Sequence, residues 1–435
     1  MRSSETPPEV ARAIARAHAE EWAYVLAATV RVTRDLDLAE DCVQDAYARA
    51  LVHWPASGIP QRPGAWLTTV ARRRALERLR RAATLARKLP LLIVDDEPAI
   101  PGEGADAAAF PDDRLRLIFT CCHPALSTDA QLALTLRLVC GLTSAEVARA
   151  FLVKETTIQA RITRAKQKIA RAGIPYRVPA AHELAERVGV VLDALHLLYS
   201  SGYTAASGDE LVRGDLATRA LDLAQMMHAL LPQTPEVKGL LALVQLTEAR
   251  RPARVSPDGQ LILMEDQDRS LWDHDGIATG LALVRAALAL PPAGTAGRYV
   301  IMAAIAAVHS EASAWEETDW PQLVGLYDLL LQRWPTPVVA LNRAVALSFV
   351  EGPAAALAAL DDFADDPALA AYPYLAATRA DLFRRLGRTQ DALAAYREAL
   401  RLTNNTAEAG FLRRRIDALQ SNTPGTADTY GGAVR

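Results

Sequence analysis

Apolar side chains recur every three or four residues along most of this chain, the spacing that places them on one face of an α-helix. Two such stripes follow each other in residues 9–52. Their members are Trp22, Leu26 and Val30 in the first stripe and Leu38, Cys42, Ala46 and Ala50 in the second. Few segments alternate apolar with polar residues, as half-buried strands do. The pattern therefore predicts an all-α protein.

A basic helix is predicted after a short loop. Residues 54–66 contain three prolines and two glycines and predict the loop. The next segment, AWLTTVARRRALERLRR at 65–81, has helical spacing, six arginines and one acidic residue. Its apolar stripe consists of Leu67, Ala71, Ala75 and Leu79, with Val70 and Leu76 beside it. We expect this stripe to pack in a core and the arginines to face outward.

Composition changes sharply at residues 89–113. This segment has four prolines, two glycines, seven acidic residues and no basic residue. Such a composition is typical of an extended linker. We therefore expect a first domain at residues 9–88, an acidic linker at 89–113, and helices that resume at Arg114.

The pattern of residues 143–171, TSAEVARAFLVKETTIQARITRAKQKIAR, is typical of a helix-turn-helix. A short amphipathic helix precedes a break at LVKE, and a longer basic helix follows it. The apolar positions are Val147, Ala148 and Phe151 in the first helix and Ile158, Ile162, Ala165 and Ile169 in the second. We expect this domain to span residues 114–175.

A helical array is predicted at residues 180–420. Its clearest unit, residues 373–405, has small and aromatic residues at the offsets of a tetratricopeptide repeat of about 34 residues. A weaker copy places Gly352 35 residues before Gly387. Stacked repeats bury their apolar faces on each other and leave a concave binding surface.

Two segments interrupt or end this array. Residues 251–268 predict an irregular insertion with a hairpin around Pro257-Asp258-Gly259. Residues 421–435 are polar and glycine-rich and predict a disordered tail.

The charge of the chain is unevenly distributed. Its 435 residues carry a formal net charge of −3, but residues 1–175 hold 25 basic and 20 acidic residues, a balance of +5. The remaining residues hold 23 basic and 31 acidic residues, a balance of −8. This asymmetry suggests that only the N-terminal part meets a polyanion. Without a long apolar run, an apolar leader or a cysteine framework, the sequence predicts a cytoplasmic protein with no membrane contact.

No enzyme signature is found in the sequence. GxGxxG, Walker, GxSxG and HExxH motifs are all absent. Cys121-Cys122-His123 is the one apparent metal cluster, but three consecutive helical residues point in different directions and cannot surround one tetrahedral ion. We expect these cysteines to be small core residues, and we predict no catalytic residue, no metal and no cofactor.

The basic helix at 65–81 allows three interpretations: a solvated surface helix, a membrane-surface helix, or a nucleic-acid-binding helix. A membrane helix would place bulky apolar residues opposite the arginines, whereas here that face is largely alanine, threonine and leucine. Composition does not decide among the three. A second basic helix in a helix-turn-helix favours nucleic acid, because arginine contacts both phosphates and base edges.

Two motifs resemble those of a known family. DLAEDCVQDAYARALVHWPASGIPQRPGAWLTTVARRRALERLRR, residues 37–81, resembles region 2 of extracytoplasmic-function RNA polymerase sigma factors. LTSAEVARAFLVKETTIQARITRAKQKI, residues 142–169, resembles their region 4. DDRLRLIFTCCHPALS, residues 112–127, and the array after residue 180 resemble the subgroup with a tetratricopeptide-like C-terminal extension. The resemblance covers nearly the whole chain.

The resemblance implies that the protein binds core RNA polymerase, at the β′ clamp and the β flap, and promoter DNA. The implied contacts to polymerase are Asp41, Gln44 and Asp45. The implied contacts to the minus-ten element are Arg73, Arg74, Glu77, Arg78, Arg80 and Arg81. The implied contacts to the minus-thirty-five element are Thr156, Gln159, Arg161, Thr163 and Arg164, with Lys154, Lys166 and Lys168 on phosphates.

The sequence departs from the family pattern at three places. Arg73 stands where many relatives have an asparagine that helps hold a flipped promoter base. Leu152 occupies the usual turn glycine. Ser200 and Ser201 replace the amide and acid of a subgroup segment written F-N-E-G-Y, which would alter any regulatory role of those polar groups.

The resulting hypothesis is a sigma factor whose C-terminal domain regulates it, by itself or through a partner protein. The alternative is a helix-turn-helix regulator whose repeat domain binds a peptide or small ligand and needs no core polymerase. A third hypothesis is an enzyme with an unrecognised site in the acidic C-terminal part.

Overall fold

The computed structural model describes residues 7–88, 112–203 except 152, 213–290, and 296–421 except 364–365, 367–368 and 370–371. These residues form eighteen α-helices, joined by short 3-10 segments and one π-helical turn, and they contain no β-strand. The predicted all-α class is confirmed. Most of the predicted linker and tail, at 89–111 and 422–435, lies outside the described residues.

The chain forms two compact units, with the boundary between Leu198 and Tyr199. This boundary falls inside the helix Ala181–Tyr203, called α8 below, and the predicted domain bounds stay a prediction. The helices of the first unit are α1 Pro8–Thr33, α2 Leu36–Ser57, α3 Pro63–Lys88, α4 Asp113–Cys121, α5 Thr128–Leu134, α6 Ser144–Ala150, α7 Glu155–Arg171 and α8 Ala181–Tyr203. The helices of the second unit are α9 Gly214–Leu230, α10 Pro235–Glu248, α11 His274–Leu288, α12 Arg298–Glu311, α13 Trp320–Arg333, α14 Pro337–Val350, α15 Pro353–Asp361, α16 Pro373–Arg385, α17 Thr389–Leu402 and α18 Thr406–Ser421.

Helices α1, α2 and α3 pack against one another around the stripes predicted from the sequence. The residues of this core include Trp22, Leu26, Val30, Cys42, Ala46, Ala50, Leu67, Ala71 and Ala75, all buried. Trp54 is also buried, and its ring meets the half-buried Trp66 edge-on at 5.6 Å. Leu76 departs from the prediction, since it is 45% exposed. Leu76 therefore lies on the exposed side of α3, together with the outward-facing arginines.

The loop between α2 and α3 is shorter than the prolines predict. Helix α2 continues through Pro55 to Ser57, and α3 already begins at Pro63. Pro55 interrupts little because it lies in the last turn of α2 and its missing N–H removes one hydrogen bond. Gly58, with φ of +83°, ends the helix and donates its N–H to the Trp54 carbonyl at 3.0 Å.

The helix-turn-helix forms as predicted. Thr143 and Glu146 make a reciprocal capping box at the start of α6. Helix α7 buries Ile158, Ile162, Ala165 and Ile169, as their spacing predicts. Leu152, at the usual turn glycine, lies outside the described residues.

Helical hairpins make up much of the second unit. Gly352 and Gly387 occupy the turns α14–α15 and α16–α17 with φ of +91° and +73°, a region that favours glycine. Ala380, Tyr396 and Ala399 share one buried cluster between α16 and α17. The hairpins are observed, while their assignment as tetratricopeptide repeats stays a prediction. In the insertion, Val255 and Leu261 form an isolated bridge around Gly259, as expected for the predicted hairpin.

Candidate nucleic-acid interface

The basic helix α3 presents two kinds of arginine. Arg73, Arg80 and Arg81 are exposed, whereas Arg74 and Arg78 are half-buried and lean onto α2. Arg81 is tied to Glu77 of its own helix at 2.6 Å. The hydrogen bond from Arg74 to Glu77 and the charge of Arg81 lower the pKa of the Glu77 carboxyl. Of the predicted minus-ten residues, Arg73 and Arg80 are thus exposed and, within the described residues, outside any ion pair.

The predicted polymerase-binding residues of α2 lie beside those arginines. Asp45 receives hydrogen bonds from Arg74 Nε at 3.0 Å and Arg78 Nη2 at 3.2 Å, and Asp41 receives one from Arg78 Nη1 at 3.1 Å. The hydrogen bond to Asp45, followed by the one to Glu77, raises the pKa of Arg74. Gln44 is exposed on the same helix. Two predicted sites that the sequence treats as separate therefore share one ion-pair network.

The second basic surface is the outward side of α7. Lys154, Thr156, Gln159, Thr163, Arg164 and Lys168 are all exposed there. The Gln159 amide donates to Glu155 at 3.0 Å, which orients it on the helix surface. Arg164, Lys168 and Arg171 line one shallow depression near the end of the helix. Six of the eight predicted minus-thirty-five residues are therefore free to approach DNA.

Lys166 and Arg161 are the exceptions. Lys166 is only about one-tenth exposed, because its ammonium lies 2.6 Å from Glu40 and 2.8 Å from Asp37 of α2. These two carboxylates cover Lys166 in this structure, and its contact with a phosphate stays a prediction. Arg161 reaches Asp129 at 3.3 Å and lies over the ring of Phe151, so it is also partly covered.

Glu40 is the central acceptor of these contacts, and sequence reasoning missed it. Its carboxylate is buried and binds both Lys166 and Arg137, the latter at 2.8 Å. Burial disfavours the charge of Lys166, yet Glu40 and Asp37 outweigh this and raise its pKa. A signal was present, since Glu40 lies four residues after Leu36 and three before Val43 on the buried stripe of α2.

The cysteine cluster is part of the core. Cys121 and Cys122 are fully buried, as expected, and Cys122 contacts the Thr135 hydroxyl at 3.3 Å. Burial raises the pKa of the Cys122 thiol to about 12. Within the described residues, no group of histidine, cysteine or acidic side chains has the arrangement of a metal site.

Comparisons with known proteins match this arrangement of domains. Residues 22–84 match the family model "Sigma-70 region 2", and residues 116–169 match "Sigma-70, region 4". A relative from Rhizobium meliloti (strain 1021), "Uncharacterized protein R00370", is 40% identical over 406 residues, which are 93% of this chain and 95% of the relative. The chain belongs to the extracytoplasmic-function-like sigma factors with a C-terminal extension.

The extension of this sigma factor has its own match. Residues 187–288 match a model described as a "Family of unknown function (DUF6596)". No solved structure matches the chain. No helix within the described residues is long and apolar enough to cross a membrane.

The family places the two basic helices in a promoter-recognising protein. All but the last turn of α3 lies in the region 2 match, and all but the last two residues of α7 lie in the region 4 match. This sigma factor thus carries its exposed arginines and lysines on both of the domains that sigma factors use for promoter recognition.

Proposed function

We propose that this sigma factor binds core RNA polymerase through α2, directs it to promoters through α3 and α7, and is regulated by its second unit. The proposed mechanism is association and DNA melting, without catalysis of bond chemistry by the sigma factor itself. The observation that supports it best is the pair of exposed basic helices in two family-matched domains in the expected order.

The two basic helices would contribute differently to the affinity for promoter DNA and to its sequence specificity. Arg73 and Arg80 on α3 would meet the minus-ten element, and their charge makes affinity sensitive to salt. On α7, Gln159 and Arg164 would read base edges in the major groove, while Lys154 and Lys168 would hold phosphates and set the register.

The contacts between α7 and α2 imply a rearrangement during this process. The two promoter elements are about 25 base pairs apart, or about 85 Å at 3.4 Å per pair. Helix α3 packs directly on α2, and Lys166 of α7 touches Glu40 of α2. One conformation with these contacts cannot place α3 and α7 on both elements. Binding to core polymerase would therefore separate Lys166 from Asp37 and Glu40.

Reconstituted transcription tests the proposal. We expect the full chain with purified core polymerase to give a promoter-specific transcript, and core alone to give none. Tight binding of duplex DNA by the chain alone, without any transcript when core is added, would instead support the regulator independent of polymerase.

A variant on α2 tests the polymerase contact separately. Gln44 is exposed and forms no ion pair, so Gln44→Arg leaves the Asp41–Arg78 and Asp45–Arg74 contacts in place. We expect it to weaken core binding at least tenfold in a pull-down or fluorescence titration. His53→Arg adds the same charge on the opposite side of α2 and is the matched control. Equal core binding by both variants would contradict the assignment of Gln44.

A further inference from the structure

A cluster of buried hydrogen-bond donors lies in the second unit, among residues that promoter recognition does not use. We name it the arginine–tryptophan cluster, and its members are Arg250, Arg269, Trp272, His309 and Thr318. Four segments supply them: the end of α10, the irregular stretch before α11, the last turn of α12, and the stretch before α13. Residues distant in sequence are thus brought together at one place.

Direct contacts join the two arginines, Trp272 and His309. Thr318 adjoins them through Trp315, whose carbonyl accepts from the Thr318 N–H at 3.2 Å and whose ring centre lies 6.5 Å from that of His309. Arg269 Nη1 donates to the His309 carbonyl at 3.1 Å. The guanidinium carbons of Arg269 and Arg250 lie 4.6 Å and 6.0 Å from the centre of the Trp272 ring. The backbone N–H of Asp273 donates to the Ala249 carbonyl at 2.9 Å, which joins the two arginine-bearing segments.

Each cluster residue has one polar atom that is buried without a partner among the described residues. Arg250, Trp272 and Thr318 are 6%, 4% and 5% exposed. Five atoms have no hydrogen-bond partner within the described residues: Arg250 Nε, Arg269 Nη2, Trp272 Nε1, His309 Nδ1 and Thr318 Oγ1. A buried donor without an acceptor is strongly disfavoured, so such a concentration calls for an acceptor.

The charge of the cluster is not compensated by a direct ion pair within the described residues. Within the described residues, neither Arg250 nor Arg269 forms an ion pair. In the part of the chain that the structure describes, the hydrogen-bond partner of Arg250 Nη1 is the Met264 sulfur at 3.3 Å. The Glu248 carboxylate binds Arg251 through Oε1 at 2.6 Å, while its Oε2 is buried without a partner among the described residues. Glu316 and Glu317 act on Arg269 only at longer range. Two buried like charges are costly unless a counter-charge joins them.

The charges of the two arginines also disfavour a positive charge on the neighbouring His309. Burial, together with Arg250 and Arg269, lowers the pKa of His309 to about 3. His309 is therefore neutral at physiological pH, and it supplies a further hydrogen-bonding nitrogen without a third positive charge. The surroundings thus disfavour cations and favour an anion.

We propose that the arginine–tryptophan cluster binds a small oxyanion, a phosphate or carboxylate group. Guanidinium groups bind the oxygens of such groups in pairs, and the indole N–H and threonine hydroxyl add further donors. The oxyanion would reach the cluster past residues 254–273, whose regular backbone structure is limited to one isolated bridge and two 3-10 turns. Segments with so few backbone hydrogen bonds open locally at low free energy.

Titration of the full chain with inorganic phosphate tests this proposal. We expect phosphate to change tryptophan fluorescence saturably and, at a hundredfold excess over its dissociation constant, to raise the unfolding midpoint by about 5 °C or more. Sodium acetate at equal ionic strength distinguishes a carboxylate ligand, and sodium chloride controls for screening. If phosphate and acetate do no more than chloride, ordered water satisfies the donors and the proposal is overturned.

Variants separate binding from folding. Arg250→Met removes one buried charge while keeping an apolar stem, so it is not expected to lower the midpoint in anion-free buffer. Arg269→Met also removes the donor to the His309 carbonyl, so it is expected to lower that midpoint. Both should lose the anion-dependent increase and weaken binding at least tenfold. Arg397→Met, at an exposed position of α17, should keep the wild-type response. An unchanged anion response in both Arg250→Met and Arg269→Met would refute the site. Trp272→Phe is a separate control, which shows whether the fluorescence change arises at the cluster.

Discussion

At the scale of single residues, Glu40 is a buried link between the region 2 and region 4 domains. Its buried carboxylate serves both Lys166 and Arg137. Glu40→Gln leaves two basic side chains partly buried with less counter-charge, so we expect a loss of about 3 kcal/mol in the free energy of unfolding. Urea denaturation measures the change.

A matched carboxylate serves as its control. Asp129 of α5 pairs with Arg161, which lies on α7 as Lys166 does, but the Asp129 side chain is 63% exposed. Asp129→Asn should therefore cost under about 1 kcal/mol. If the two amide variants were equally stable, burial of the Glu40 contacts would not be what stabilises the attachment.

A half-buried histidine gives the first unit a dependence on pH. Burial lowers the pKa of His196 to about 4, below its ordinary value of 6.5. The unfolded chain therefore binds a proton first, and stability falls as the pH drops from about 6.5 to about 4, by at most about 1.4 kcal/mol per pH unit. We expect His196→Leu to flatten this slope in denaturant titrations, whereas His182→Gln, at an exposed position of α8, should keep it.

At the scale of elements, α7 carries residues with two different proposed roles: Lys168 would bind a phosphate and Gln159 would read a base. Lys168→Ala should weaken binding of the holoenzyme to all promoters alike and reduce the slope of log affinity against log salt by about one. Gln159→Ala should instead cost about 1–3 kcal/mol only at sequences whose contacted base is adenine. Filter-binding of minus-thirty-five variants distinguishes these outcomes. Uniform weakening by Gln159→Ala would show that this residue does not read a base.

Helix α3 allows an equally direct test. Arg80 is exposed and outside the ion pairs with α2, so Arg80→Glu should weaken promoter opening without disturbing the fold. Arg73→Asn introduces the residue common among relatives and should retain opening. Permanganate reactivity of unpaired thymines measures both. Loss of opening in Arg73→Asn would mean that this helix meets the promoter differently from its relatives.

The elements themselves were predictable from the sequence because helical spacing is a local property. In the predicted stripe of α3, Leu67, Ala71 and Ala75 are buried and Leu79 is half-buried, and α7 buries its four predicted residues. The boundaries were less predictable, since proline breaks a helix less in its last turn than in its interior, as Pro55 shows. The contact of Lys166 with Glu40 joins residues 126 positions apart, so no local pattern indicates that this lysine is covered.

At the scale of the whole molecule, the position of the unit boundary changes how the extension should be removed. The sequence suggests a cut near residue 175. However, Tyr176 is buried and donates its hydroxyl to the carbonyls of Ala27, at 2.9 Å, and Asp113, at 3.1 Å. A chain ending at 175 therefore loses an internal contact of the first unit as well as the second unit.

Two truncations separate these effects. The chain 1–203 keeps α8 and Tyr176, so its first unit should unfold at nearly the same denaturant concentration as in the full protein, whereas the chain 1–175 should lose about 3 kcal/mol or more. Because the second unit is proposed to regulate, transcription by 1–203 with core polymerase should differ from that of the full chain in either direction. Equal transcription in vitro and in cells would contradict a regulatory role. A defect confined to 1–175 would trace the effect of the shorter cut to Tyr176 and α8, and not to the extension.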